Sequence, residues 1–132
     1  MREILFRAKT KDDGKWIEGF PVRIYDYGGL VWDMHPFNTN FEITRSVDTK
    51  TIGQFVGLTD RNGNKIFEGD IIKIPEDYDE FGHNAGEIYE VYFCCGGFRL
   101  KPKYSKARGY WLEDDETVEV IGNIHDNPEL LK

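Results

Sequence analysis

The chain has 132 residues, of which 39% are hydrophobic and 14% aromatic, and a formal net charge of −7. That length makes one domain the default and leaves little chain for a second well-buried core. The acidity excludes a protein that coats DNA through general phosphate neutralisation, although a local basic patch keeps its own field.

Fourteen Gly and five Pro favour short strands and tight turns over helices. The opening run MREILFRAKTKDDGKW has no long apolar stretch, so neither a signal peptide nor a membrane span is expected. Arg2 to Lys9 reads as a first strand, with Ile4 and Phe6 on one face and Arg7 on the other, although Leu5 blurs the alternation. Asp12, Asp13 and Gly14 supply a turn, and Trp16 to Tyr25 is the return strand. Gly19 and Pro21 interrupt that strand and predict a bend or a sheet edge. Leu30 to Met34 is a third short strand. Between His35 and Lys50 the pattern is lost, and either a strand from Phe41 to Thr44 or a helical turn near Thr49 fits.

From Gln54 onward the signals sharpen. Gln54 to Val56 is extended, and Asp60-Arg61-Asn62-Gly63 is a turn, because Asn-Gly tolerates positive φ at both central positions. Ile66 and Phe67 form a short strand, Glu68-Gly69-Asp70 bends the chain, and Ile71 to Ile74 resumes until Pro75 removes a ladder donor. Pro75 to Gly86 is an exposed acidic loop. It fails as a calcium loop, because Phe81 holds a ligand position and Ile88 stands where a bidentate Glu is needed. Glu87 to Phe93 is a strand with Tyr89, Val91 and Phe93 on one face. Cys94-Cys95-Gly96-Gly97 closes a hairpin into Phe98 to Lys103. Tyr110 to Leu112 and Thr117 to Ile124 are further strands, and Asn127 with Pro128 opens a final helical turn.

This spacing predicts a single, mainly β domain over residues 1–132. An SH3-like or barrel-like antiparallel sheet spans residues 51–126, preceded by a β extension with a variable loop at 1–50 and followed by a turn at 127–132. The expected core is Phe55, Ile66, Ile72, Val91, Phe93, Leu100, Val120 and Ile121. The two cysteines are adjacent. Neighbouring strand residues point to opposite faces and a vicinal disulfide closes a strained ring, so both are read as thiols in a reducing compartment.

Three pieces resemble the YopX family of phage and prophage proteins. They are Arg2 to Ala8, then Gly57-Leu58-Thr59-Asp60 with Asn62-Gly63 and Glu68-Gly69-Asp70-Ile71, and finally Glu119 to Ile124 with Asn127 to Leu131. The resemblance implies a small β protein in the cytoplasm of a bacterial host. It brings no catalytic residue and no cofactor.

Candidate chemistry is sparse. Glu68 and Asp70 could pair as acid and base of a hydrolytic enzyme, but a Gly-Asp bend also places an Asp to accept backbone N–H groups. His35, His83 and His125 lack metal-ligand spacing, so no metal is expected. The best lead is the run from Arg99 to Trp111. Arg99, Lys101, Lys103, Lys106 and Arg108 are interleaved with Tyr104, Tyr110 and Trp111, the pattern by which small barrels stack and neutralise single-stranded nucleic acid. The same run also fits the solvated face of a hairpin, and the acidic Glu113 to Glu116 lies close enough in sequence to neutralise it. The expected function is a non-enzymatic binding module for a protein partner, with nucleic acid as the alternative. Self-association through open strand edges is compatible with either.

Overall fold

The computed structural model describes residues 3–26, 29–36, 44–76, 86–103, 110–111 and 118–132. Contacts within the chain divide it into two compact units, Met1–Phe55 and Val56–Lys132.

The first unit is an antiparallel sheet built on a long hairpin. Strands β1 (Phe6–Lys9), β2 (Trp16–Asp26), β3 (Gly29–Pro36) and β4 (Arg45–Ser46) lie in the order β4-β3-β2-β1. The opening residues of β5 (Gly53–Thr59) pair with β1, placing Phe6 opposite Gln54. Gly14 at φ 66° closes the β1–β2 turn, where the Thr10 hydroxyl donates to Asp13 and Arg45 Nη2 reaches Asp12 at 3.1 Å. Strand β2 is interior rather than an edge. β1 stops opposite Gly19, however, so Pro21 stands where β2 has a neighbour on one side only, the place a missing N–H costs least. Gly19 is required by the close approach of β3, since a Cβ there would sit 2.0 Å from the His35 carbonyl oxygen.

Ala8, Met34 and Val47 are fully buried and are covered by Phe6, Ile17 and Ile52. The entry to β1 differs from the expected alternation. Leu5 is fully buried and Ile4 is exposed, because the ladder begins only at Phe6 and the Leu5 carbonyl accepts from Phe55 N. The helical turn near Thr49 is present as a 3-10 turn, Thr49–Thr51, capped by Asp48, which accepts from Lys50 N at 3.1 Å. Of the alternative strand from Phe41 to Thr44, residues 41–43 lie outside the described residues and Thr44 is not in a strand; β4 begins just after it, at Arg45–Ser46.

The second unit carries the remainder of β5, with β6 (Lys65–Phe67) beside it, and a five-stranded antiparallel sheet. That sheet contains β7 (Asp70–Lys73), β8 (Ile88–Cys94), β9 (Gly97–Pro102), β10 (Tyr110–Trp111) and β11 (Glu119–Asn123), in the order β10-β9-β8-β7-β11. A 3-10 turn, Pro128–Leu131, follows. The protein is thus mainly β and antiparallel, but the sheet is open, with β10 and β11 as its edges, and no barrel closes.

Ile66, Ile72, Tyr89, Val91, Leu100 and Val118 form the buried core, with Val56, Leu58, Ile74 and Val120 packed against it. Each fully buried aliphatic side chain contributes roughly 1.5–3 kcal/mol, so this cluster dominates the unit's stability. Two expected core residues are only half-buried, Val120 and Ile121, and Phe93 is 54% exposed. Phe93 shares the inward face of β8 with Tyr89 and Val91, but it stands at the hairpin tip, one pair from the turn, beyond the cover of the core. No helix among the described residues is long and apolar enough to cross a membrane.

Candidate binding surface

Among the described residues of the second unit, Asp60, Asp70 and Asn123 are the buried polar ones, and each is held by backbone groups. Asp60 Oδ1 accepts from Asn62 N at 2.9 Å and Asn64 N at 2.8 Å. Its Oδ2 accepts from Val120 N at 3.0 Å and Asn64 Nδ2 at 3.3 Å. Burial pushes this carboxyl up, but the donors from Val120, Asn64 and Asn62 outweigh it and hold it below its ordinary value. The turn is therefore organised by an aspartate, with positive φ at Gly63 (83°) but not at Asn62, unlike the expected Asn-Gly pairing.

Asp70 Oδ2 accepts from Phe67 N at 2.8 Å across the bend that Gly69 makes at φ 91°. Gly69 in turn donates to the Val91 carbonyl at 2.8 Å and accepts from Ile124 N at 2.9 Å. Asn123 stands opposite Asp70, and its Oδ1 accepts from His125 N and Asp126 N at 3.0 and 2.9 Å. Asn127 does not cap the last turn with its side chain. Its Oδ1 accepts instead from Asn123 N at 3.3 Å, packed so close to Gly122 that a Cβ there would lie 2.6 Å away. The carboxylate tempting as a catalytic group is thus engaged in a turn, as the bend reading of Gly-Asp expects, with Glu68 half-buried inside the same bend.

The basic segment is only partly placed. Tyr104, Lys106 and Arg108 lie in residues 104–109, outside the described residues, as do the acidic residues 113–116 and the loop 77–85. Arg99 and Lys101 sit on β9 opposite Tyr92 and Glu90, and β10 sets Tyr110 opposite Leu100 and Trp111 opposite Arg99. Lys103 donates its backbone N–H to the Ile88 carbonyl at 3.0 Å. Lys101 and Lys103 share a depression of about 160 Å³ with Glu90, Pro102 and Leu131. It is smaller than the clefts of roughly 300–1,000 Å³ that enclose small molecules, and its two cations and one carboxylate suit a salt-bridging or phosphate contact.

A second surface is one the alternation of β8 obscures. The hairpin tip carries Phe93, packed edge-to-face on its cross-strand partner Phe98 with centroids 5.3 Å apart. Beyond it, Cys95 at φ 56° and Gly96 at φ 85° make the two-residue turn. Period-2 logic assigns Phe93 inward. Only its closeness to the Cys-Gly-Gly turn hints that the cover ends first.

The profile of the family described as YopX protein matches residues 5–132. A curated relative, the SPbeta prophage-derived uncharacterized protein YopX of Bacillus subtilis (strain 168), is 33% identical over 75 residues. That match spans 53% of this chain and 52% of the relative, about half the length of each. The crystal structure of protein EF1440 from Enterococcus faecalis is similar in fold, with a TM-score of 0.55 at 22% identity, covering 100% of both chains. The motif pieces Thr59-Asp60, Glu68-Gly69-Asp70 and Glu119 to Asn127 meet in one hydrogen-bonded hub, and a profile match across nearly the whole chain agrees with them: the chain belongs to the YopX family.

Proposed function

We propose that this chain is a non-enzymatic accessory protein of a phage or prophage, acting in the host cytoplasm by binding a protein partner. The observation that carries this reading is Phe93, 54% exposed yet steadied by Phe98. An aromatic ring held by a second ring offers rigid apolar area at small entropic cost, the chemistry of interface hot spots. The net charge of −7 favours a protein face over a phosphate backbone. The edge strand β10 adds backbone groups for strand addition by a partner or a second copy, whereas the outer side of β11 is taken up by the Asp60 turn. The test is affinity capture from prophage-induced cells with the tagged wild-type chain and Phe93→Ser side by side, read by mass spectrometry. A protein recovered by the wild type and lost with the variant supports the reading. The same proteins recovered by both, or nucleic acid alone, sinks it.

A second reading is a nucleic-acid-binding module using Arg99 to Trp111. It rests on Lys101 and Lys103 lining one depression and on Trp111 lying in register with Arg99. Salt-sensitive oligonucleotide binding that disappears when Lys101, Lys103 and Arg108 are replaced supports it. Failure to bind any oligonucleotide at low salt removes it.

A further inference from the structure

Adjacent residues on a strand send their side chains to opposite faces, which would keep Cys94 and Cys95 apart. The chain defeats that rule at one residue. Cys94 is the last residue of β8, paired with Gly97, but Cys95 is the first residue of the turn. Its φ of 56° is the single positive value among the described non-glycine residues. Such a conformation disfavours an L side chain, and a hairpin turn ordinarily places Gly, Asn or Asp there. The outcome of this conformation is convergence. The two Sγ atoms lie 2.8 Å apart, within hydrogen-bonding reach, with either thiol able to donate. Neither cysteine is in a disulfide, and Cys95 is exposed while Cys94 is half-buried.

We propose that Cys94 and Cys95 form a reversible two-electron redox site that reacts stoichiometrically, rather than catalytically, with a small-molecule disulfide as oxidant. Accessibility sets the order of events. Cys95, as the thiolate, attacks one sulfur of the disulfide oxidant and expels the other as a thiol, leaving a mixed disulfide on Cys95. Cys94 then attacks the Cys95 sulfur and expels the second thiol. One S–S bond of the oxidant breaks and one forms within the chain. The dithiol loses two electrons, and its two protons leave on the released thiols. The product ring contains the Cys94–Cys95 peptide unit, whose Cα atoms are held about 3.8 Å apart. Ordinary disulfides span roughly 4.4–6.8 Å, so this one is strained and returns readily to the dithiol in excess monothiol.

The test treats the full chain with the aromatic disulfide 5,5′-dithiobis(2-nitrobenzoate), following thionitrobenzoate release and intact mass. The wild type is expected to release two thionitrobenzoates and to end lighter by two hydrogens, with no adduct retained. Glutathione then restores the original mass. Cys94→Ser is expected to hold one adduct on Cys95. Cys95→Ser reacts more slowly, through the half-buried sulfur. The second release is expected to be at least about tenfold faster in the folded chain than in urea, because the fold sets the two sulfurs together. A wild-type chain that retains an adduct, crosslinks to a second copy, gives no release, or closes its ring no faster folded than unfolded overturns the proposal.

Discussion

Two turns of the second unit are built from opposite materials. At Asp60–Asn64 an aspartate is buried, and both of its oxygens are filled by donors from the turn and from β11. At Cys94–Gly97 the side chains face outward, with a half-exposed phenyl ring beside it and two thiols brought together by a left-handed residue. The first turn carries the residue types usually associated with chemistry, yet its acceptors are filled by backbone N–H groups and the Asn64 amide. The second carries residue types usually assigned to packing, yet Phe93 and Cys95 stand exposed there, outside the core. A polar cluster whose acceptors are filled locally holds the chain together, and reactivity is left to groups the fold exposes.

Substitutions can break this contrast. The largest effect is expected from Asp60→Ala, which leaves a set of converging donors without their carboxylate. It should cost about 3 kcal/mol in urea or thermal unfolding. Asp60→Asn keeps one acceptor oxygen and should cost less. The same carboxyl predicts an acid limb. Its folded pKa lies below that of the unfolded chain, so its stabilisation is complete above about pH 4 and drains away as the pH falls further. The stability gap between wild type and Asp60→Asn should therefore narrow on acidification, and a gap independent of pH would contradict the charged acceptor. Next in size, Gly122→Ala forces Asn127 away from Asn123 N and should cost about 1 kcal/mol, measured by the same unfolding curves. The smallest effect is expected at the hairpin tip. Phe93→Ser should change stability by no more than about 0.5 kcal/mol while abolishing partner capture. A loss comparable to that of Asp60→Ala would mean that Phe93 is core after all.

Much of this architecture was readable from residue types alone. Strand positions follow from alternation and from Gly, Pro and Asn punctuation, and Ile66, Ile72, Val91 and Leu100 are core residues as their pattern implies. What was not readable depends on distance or on the end of an element. The partner of Asp60 is 60 residues away at Val120, and no local pattern encodes that bond. Phe93 fits the inward period, but a period cannot say where the covering side chains stop. Cys95 has none of the residue preferences that announce positive φ, so its conformation comes from hairpin closure rather than local propensity. Of the basic segment, the sequence identifies the residues, while the fold places Arg99, Lys101 and Lys103 on or beside one hairpin.

The bond between Asp60 and Val120 has a consequence for synthesis and for length variation. Because it joins residues 60 positions apart, the second unit cannot complete its hub until its last strand has left the ribosome, and long-range closures of this kind fold slowly. The same closure makes the enclosed segment tolerant of insertion. Lengthening a flexible connection inside a loop already this long adds only a logarithmic entropy penalty, about 0.6 kcal/mol for each doubling.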